Sequence, residues 1–277
     1  MPELPEVETV MRGLRTAIEG HKIVHVTLNR HDLRWPFPAN LREEMLNQRV
    51  VSFSRRAKYI LMRLENKWSV LFHLGMSGRM LIGSVGQNEP PPKHEHVIIE
   101  SEEGVRIGFV DPRRFGAIDL IRTADEASHP LLTKLGLEPL SSKLDGPVLQ
   151  EMFATKRHTP IKTALLDQRY IAGLGNIYVC EALFKTRIHP ERTASSLTEE
   201  EAHLLARNIQ DILTTAIASG GSSLRDYVQS DGTRGGYQDL HLVYGREGEA
   251  CRQCSSTEIQ RLIQSGRSTF YCPSCQK

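Results

Sequence analysis

The chain has 277 residues, of which 39% are hydrophobic and 25% are charged. This composition excludes a disordered chain and fits one large or two ordinary folded domains. The formal net charge is only +2, so a DNA-binding surface has to come from local clusters of Arg and Lys. The N-terminus is acidic and no apolar run could span a bilayer. We therefore expect no signal peptide, no membrane segment and a cytoplasmic location.

The first predicted element is a helix from about Pro2 to Glu19. If the initiator Met1 is removed, the chain starts with Pro2, a secondary amine that can attack an electrophilic sugar carbon and form an iminium ion. Glu3 and Glu6 follow, and a helix that begins here would place both carboxylates near the amine. The alternative is an ordinary helix start, in which a proline and first-turn acids have no catalytic role.

The next stretch predicts a β-rich domain. Short β-branched or alternating runs that are separated by turns are typical of a sandwich or barrel. The predicted strands are residues 21–28, 50–54, 59–64, 69–74, 97–101, 105–110 and 117–121. Residues 83–93 contain three consecutive prolines and are predicted to form a loop.

Two turns in this region could form a wedge that enters DNA. They read LGMSG and DPRRFG in the sequence. Apolar side chains beside arginine are what proteins insert into a base stack to extrude a nucleotide. The alternative is a buried phenylalanine beside surface arginines. The side chains concerned are Met76, Arg113, Arg114 and Phe115.

The composition shifts to Gly, Pro and Ser at residues 136–147, which we interpret as a linker after an N-terminal domain of residues 1–135. Helical patterning then predicts a domain of residues 148–240. Its loop at residues 222–237 is rich in glycine and poor in apolar side chains. Residues 241–277 form the last predicted domain. The predicted helices are 148–155, 160–166, 177–184 and 198–219.

A glycine-rich corner, Gly173-Leu174-Gly175-Asn176, joins two of these helices. Backbone N–H groups that converge at a helix start can hold a phosphate without side-chain charge. A plain helix–turn–helix corner is the alternative. The basic runs at 55–58 and 156–158 could contact DNA as well, although such runs are usually solvated faces.

Four of the five cysteines follow the pattern C-x2-C-x17-C-x2-C near the end of the chain. This spacing is typical of one structural zinc ion held by four thiolates. Disulfides are the alternative, which a reducing compartment disfavours. The surrounding segment is predicted to be a β-hairpin with 261–270 in its arms, and Cys180 is interpreted as a packed thiol. The predicted zinc ligands are Cys251, Cys254, Cys272 and Cys275.

These motifs occur in one order along the chain: PELPEVETV, RRAKY, HLGMSG, DPRRFG, GLGNIY, YGR and the four cysteines. In this order they closely resemble bacterial formamidopyrimidine-DNA glycosylases over essentially the full length. The resemblance implies an α+β fold with an N-terminal β-sandwich and flanking helices, a C-terminal helix–two-turns–helix domain and a four-cysteine zinc finger. It also implies excision of oxidised purines, 8-oxoguanine and formamidopyrimidines, from double-stranded DNA, followed by strand cleavage at the abasic site.

For catalysis, the resemblance implies that Pro2 is the nucleophile and Glu3 the proton donor, with support from Glu6. Lys58 and Arg267 would assist. For DNA binding, it implies phosphate contacts, a wedge that fills the void left by the everted base, and a lesion-capping loop at 222–237. The predicted DNA-binding residues are His73, Met76, Arg113, Arg114, Phe115, Lys156, Asn176, Tyr244 and Arg267.

Two other functions remain open at this stage. Endonuclease VIII, a sister enzyme, shares the terminal proline and the zinc finger but favours oxidised pyrimidines. Met76, Arg113, Phe115 and the Leu4 that follows Glu3 favour the purine enzyme. A catalytically silent DNA-binding zinc module is the second alternative. We expect a monomer that associates with the nucleoid.

Overall fold

The computed structural model describes residues 2–86, 92–223 and 233–277. The chain divides into two compact units. The first comprises Met1–Thr133 and Ser219–Gly236, and the second comprises Lys134–Ala218 and Tyr237–Lys277. Most of the predicted 222–237 loop and the centre of the predicted 83–93 loop lie outside the described residues. The described residues of the former up to Gly236 belong to the first unit, whereas Tyr237 belongs to the second.

Helix α1 (Leu4–Ile18) opens the first unit and confirms the predicted N-terminal helix. Its apolar side chains recur at helical spacing, and burial of each contributes roughly 1.5–3 kcal/mol. The helix is therefore held mainly by packing. Gly20, with φ 86°, lies just past the C-cap residue Glu19. The buried apolar side chains are Leu4, Val7, Val10, Met11, Leu14 and Ile18.

Eight strands and a short helix follow: β1 (Ile23–Leu28), α2 (Leu41–Met45), β2 (Val50–Arg56), β3 (Tyr59–Leu64), β4 (Trp68–His73), β5 (Arg79–Ser84), β6 (Glu95–Ser101), β7 (Val105–Val110) and β8 (Ala117–Arg122). They form two antiparallel four-stranded sheets, ordered β1-β6-β7-β5 and β2-β3-β4-β8. Side chains from both sheets and from α1 share one core. A 3-10 helix (Thr123–Ser128) follows β8. The predicted β-sandwich and its seven predicted strands are confirmed.

Sequence patterning missed β5 and α2. Strand β5 reads RMLIGS, and its end at Ser84 overlaps the loop that we predicted from Gly83 onwards, so that boundary is wrong. Pairing with β7, from Arg79↔Val110 to Ser84↔Val105, continues the strand past the glycine. Helix α2 has only five residues, too few to show a helical period.

The second unit contains α3 (Gly146–Phe153), α4 (Ile161–Leu166), α5 (Asn176–Thr186), α6 (Glu199–Ala218) and the hairpin β9 (Gln260–Gln264) and β10 (Arg267–Tyr271). Two short 3-10 helices lie at Ala194–Ser196 and Tyr237–Leu240. The four predicted helices and the hairpin are confirmed. At the start of α6, Thr198 and Glu201 exchange backbone-to-side-chain hydrogen bonds of 3.0 and 3.2 Å, a reciprocal N-terminal cap.

Helix α5 packs against the cysteine-rich segment through a small apolar core. Cys180 lies in this core, 1% exposed, beside Phe184, Val243 and Ile259. The interpretation of Cys180 as a packed thiol is thereby confirmed. Within the described parts of the chain, none of the helices combines the length and the apolar character that a membrane crossing requires.

Candidate active site, DNA-binding surfaces and zinc centre

The predicted nucleophile and carboxylates lie together at the start of α1. Pro2 is buried, and Glu3 and Glu6 are 3% and 1% exposed. The Glu3 backbone N–H donates to Glu6 Oε2 at 2.8 Å, and the Ser222 backbone N–H donates to Glu6 Oε1 at 2.8 Å. One carboxylate thus fixes both the backbone next to Pro2 and the start of the 222–237 loop.

The backbone at the start of this loop approaches Glu6 so closely that Gly221 is required. Gly221 has φ 79°, and a Cβ built there would lie 2.9 Å from Glu6 Oε1. A left-handed backbone conformation and a close carboxylate together disfavour any side chain. Further along, the Gly235 N–H donates to Ser223 Oγ at 2.9 Å, which joins the two described ends of the loop.

Lys58 lies in the tight turn between β2 and β3, and it is only 8% exposed. Ala57 adopts φ 52° in this turn. Arg55 fixes the turn, since its Nη1 donates to the Ala57 carbonyl at 2.9 Å and its Nε donates to Glu8 Oε2 at 2.8 Å. The backbone that carries Lys58 is therefore anchored to α1 through Glu8.

His73, at the end of β4, has a ring that packs against Tyr59 at 4.8 Å between centroids. Burial, and then the positive charges of Lys58 and Arg34, lower the pKa of His73 to about 4. The ring is therefore neutral near pH 7. Its Nδ1 accepts the Gly75 N–H at 3.1 Å, so the proton lies on Nε2. This tautomer can donate one hydrogen bond to a phosphate oxygen.

The two predicted wedge turns contact each other. Phe115 is 45% exposed, and the Arg113 guanidinium lies over its ring at 5.0 Å. A Cβ on Gly75, where φ is 61°, would lie 2.3 Å from the Phe115 carbonyl carbon. The turns are thus in direct backbone contact. They border a cavity of about 530 Å³, which is lined by Leu33, Arg34, His73, Gly75, Met76, Arg113, Arg114 and Phe115.

In the second unit, Asn176 begins α5 after the glycine-rich corner, where Gly173 adopts φ 91°. Asn176 Nδ2 donates to the Ser268 carbonyl at 2.8 Å and lies 3.4 Å from the Tyr244 hydroxyl. Arg267, the first residue of β10, directly precedes Ser268 and is exposed. The structure therefore brings together three of the predicted phosphate-contacting positions.

The backbone around Tyr244 is held by Glu181, a residue of α5 that is 1% exposed. Its carboxylate accepts the N–H groups of Leu242, Val243 and Tyr244 at 2.9, 3.0 and 2.8 Å. Lys156 follows the end of α3, and its ammonium lies 4.8 Å from the centre of the Tyr170 ring. This contact does not involve Asn176, Tyr244 or Arg267.

Sequence reasoning missed several buried polar residues that support these groups. Glu181 and Lys162 lie among apolar residues in helices, and Lys162 Nζ donates to Thr269 Oγ1 at 2.6 Å. Asp111 and Ser77 lie inside the wedge turns and are 0% and 4% exposed. A charged residue on the apolar face of a predicted helix was the signal that could have revealed the first two. The second two carried no such signal.

The four predicted cysteine ligands converge in the second unit, with all four sulfur atoms within 4.8 Å of one another. Sγ–Sγ distances of 3.9 Å for Cys251–Cys275 and 3.8 Å for Cys254–Cys272 match the edge of a tetrahedron with metal–sulfur bonds of about 2.3 Å. Burial and the neighbouring thiols raise the pKa of Cys275 to about 12. A hydrogen bond from Ser256 lowers the pKa of Cys254 to about 6, so the four thiols differ in acidity, and the four-sulfur donor set fits one structural zinc ion.

Three family models match this chain. The formamidopyrimidine-DNA glycosylase N-terminal domain matches residues 1–118, the H2TH domain of the same family matches 135–228, and a zinc finger found in FPG and IleRS matches 248–277. Together they cover most of the chain.

The chain belongs to the formamidopyrimidine-DNA glycosylase family.

Curated members of the family align over the full length. The chain is 65% identical to the formamidopyrimidine-DNA glycosylase of Gluconobacter oxydans (strain 621H) and 52% identical to that of Cereibacter sphaeroides (strain ATCC 17029 / ATH 2.4.9), with 100% of both proteins covered in each case. The predicted family and the predicted α+β fold are confirmed.

Solved structures of formamidopyrimidine-DNA glycosylases agree with this assignment. The Lactococcus lactis enzyme in complex with DNA that contains an abasic site has a TM-score of 0.91 and 36% identity, with 100% of both chains covered. The Thermus thermophilus enzyme has a TM-score of 0.88 and 40% identity, with 99% of this chain and 98% of that chain covered.

Proposed function

We propose that this chain excises oxidised purines from double-stranded DNA and then cleaves the strand, with the Pro2 amine as nucleophile. The observation that carries this proposal is the arrangement at the start of α1, where Pro2 precedes two buried carboxylates and Glu6 fixes the adjacent backbone at 2.8 Å. Once Met1 is removed, Pro2 is a buried secondary amine beside carboxylates that can form an iminium ion, and a pure DNA-binding module has no need for such a group. Membership of a glycosylase family supports the same conclusion.

The first chemical step joins Pro2 to the deoxyribose. The nitrogen lone pair attacks C1′ as the glycosidic electrons leave with the base, which takes a proton. Glu3 donates a proton to O4′ so that the sugar ring opens. The nitrogen loses its own proton, and the product is an iminium ion between Pro2 and C1′.

The iminium ion then makes strand cleavage possible. It withdraws electrons, so the C2′ proton becomes acidic, and its removal expels the 3′ phosphate by β-elimination. A second elimination expels the 5′ phosphate and leaves a one-nucleotide gap. Lys58 is the proposed assisting group, since it is 8% exposed and lies in a turn anchored to α1 through Arg55 and Glu8.

The DNA-binding residues divide into two groups in this proposal. Met76, Arg113 and Phe115 fill the void left by the everted base, and Arg113 pairs with the orphaned cytosine. His73 and Arg114 contact DNA beside this wedge. The phosphate contacts come from a second set of residues: Lys156, Asn176, Tyr244 and Arg267.

Four further statements belong to the same proposal. The domains are residues 1–135, 148–240 and 241–277, joined by a linker at 136–147, and the 222–237 loop caps the lesion. The protein acts as a monomer. It works in the cytoplasm at the nucleoid, where its DNA substrate is.

The test uses two duplexes, one with 8-oxoguanine opposite cytosine and one with thymine glycol. We expect excision and strand cleavage with the first duplex and much slower reaction with the second, together with a covalent protein–DNA adduct when borohydride is added. Preference for thymine glycol would indicate the substrate range of the sister enzyme. Uncleaved duplexes without an adduct would contradict the proposed function altogether.

A further inference from the structure

We propose that Asp111 is a positioning residue that joins the two wedge turns into one rigid unit, and that excision from double-stranded DNA depends on this junction. The proposal rests on the proposed function, because it concerns how the wedge residues of that function are held. It adds a residue that touches neither the sugar nor the nucleophile.

Both carboxylate oxygens of Asp111 are used, one for each turn. Asp111 is 0% exposed. Its Oδ1 accepts the Ser77 hydroxyl at 2.6 Å, and its Oδ2 accepts the Gly116 N–H at 2.7 Å. Ser77 belongs to the turn that carries Met76, whereas Gly116 closes the turn that carries Arg113 and Phe115. A single side chain therefore connects the two turns.

The hydroxyl of Ser77 reinforces this connection. Its Oγ also accepts the Arg113 N–H at 3.2 Å. Ser77 therefore donates to Asp111, at the start of the second turn, and accepts from Arg113, in the middle of that turn. The backbone of Asp111 is itself fixed by the neighbouring strand β6 and by His94, the residue before that strand. Its N–H donates to the His94 carbonyl at 3.0 Å, and its carbonyl pairs with His96 Nε2 at 2.8 Å.

Steric contacts leave the two turns little freedom to slide. A Cβ on Gly116 would lie 2.9 Å from Asp111 Oδ2, and one on Gly75 would lie 2.3 Å from the Phe115 carbonyl carbon. Phe115 itself remains 45% exposed. The turns thus have fixed bases and exposed tips, which is the arrangement expected of a wedge that must resist restacking of the bases.

The same unit contains a matched control. Ser69 Oγ donates to Glu126 Oε1 at 2.6 Å, the same length as the Ser77–Asp111 hydrogen bond. Ser69 is 0% exposed and Ser77 is 4% exposed. Ser69 lies on β4 and bonds to the 3-10 helix after β8, so its hydroxyl makes no contact with either wedge turn. Ser77→Ala and Ser69→Ala each remove one buried hydroxyl–carboxylate hydrogen bond.

The experiment compares Ser77→Ala, Ser69→Ala and the unaltered full chain in three assays. The first is single-turnover excision of 8-oxoguanine opposite cytosine. The second is the fluorescence of 2-aminopurine placed beside a tetrahydrofuran site in a duplex, which reports unstacking by the wedge. The third is borohydride trapping on a single-stranded abasic oligonucleotide, which has no orphaned base and no void to fill. Thermal unfolding is measured to check that each variant is folded.

We expect Ser77→Ala to slow excision about tenfold and to reduce the 2-aminopurine signal, with single-strand trapping within about twofold of the unaltered chain. Ser69→Ala should match the unaltered chain within about twofold in all three assays. Asp111→Asn retains the side-chain volume and one acceptor oxygen. Its excision rate should therefore lie between the rates of Ser77→Ala and the unaltered chain.

Excision by Ser77→Ala at the unaltered rate would overturn the proposal, as would an equal loss of excision in Ser69→Ala. Equal losses of single-strand trapping and of excision in Ser77→Ala would also overturn it, since the defect would then lie in the chemistry. Failure of the unaltered chain to form any trapped adduct would instead overturn the proposed function, on which this inference rests.

Discussion

The two units of the molecule fix their functional side chains by partly different means. In the first unit, buried carboxylates hold backbone: Glu6 holds Glu3 and Ser222, and Asp111 holds Gly116. In the second unit, Glu181 holds the backbone around Tyr244 in the same way, but the hairpin that carries Arg267 lies between two pairs of converging cysteines. The first arrangement positions reacting groups through hydrogen bonds, whereas the second depends on a cation. Changes to the hydrogen-bonded groups of the first unit should therefore alter the rate of excision. Changes to the cysteine cluster of the second unit should alter DNA affinity.

The largest expected effect comes from blocking Pro2 with an uncleaved N-terminal extension. Acylation removes the nitrogen lone pair, so excision and borohydride trapping should fall to background. DNA affinity, measured by fluorescence anisotropy, should stay within about twofold because phosphate contacts dominate it. The control is the same preparation after the extension has been cleaved to expose Pro2. Full trapping by the extended protein would show that another amine is the nucleophile.

The second largest effect is expected from Cys254→Ser, which removes one of the four thiolates. Bound zinc should fall, and DNA affinity should fall about tenfold or more as the hairpin with Arg267 loses its anchor. Cys180→Ala is the matched control, since Cys180 is a buried cysteine outside the cluster, and it should keep its zinc. Metal content and anisotropy measure both. Unchanged affinity in a zinc-free Cys254→Ser protein would contradict the role of the finger.

The Pro2 site and the zinc centre were predictable from sequence because their functional residues occur at short, recognisable spacings. A proline at position 2 followed by two glutamates, and paired C-x2-C motifs, bring their groups together by local geometry alone. The supporting residues were not predictable in the same way. Asp111 and Ser77 are separated by 34 positions, and the pairings of β5 with β7 and of β4 with β8 place their turns side by side. Glu181 binds a segment more than 60 residues away.

A smaller effect should follow from Glu181→Gln, which leaves one accepting oxygen for the three N–H groups around Tyr244. We expect a loss of about 3 kcal/mol in the free energy of unfolding and a few-fold loss of DNA affinity. Excision at saturating enzyme should be unchanged. Glu200→Gln removes an exposed carboxylate of α6 and should leave all three unchanged. A slower excision step in Glu181→Gln would assign this residue to the chemistry instead.

The smallest predicted effect is the acid sensitivity contributed by His73. Its pKa is about 4 in the folded protein and about 6.5 in an unfolded chain, so the unfolded state binds more protons between these values. Stability should therefore fall as the pH drops below 6.5, by about 2 kcal/mol between pH 7 and pH 5. His73→Gln should flatten this part of the profile in urea unfolding. An unchanged pH profile would show that His73 does not titrate in this way.

The most direct measurement of the central claim is the site of the trapped adduct. The unaltered protein is reacted with an abasic duplex and borohydride, digested, and analysed by mass spectrometry. The account predicts that the sugar remnant is attached to the N-terminal peptide, at the nitrogen of Pro2. Attachment at Lys58 or any other lysine, with the N-terminal peptide unmodified, would contradict it.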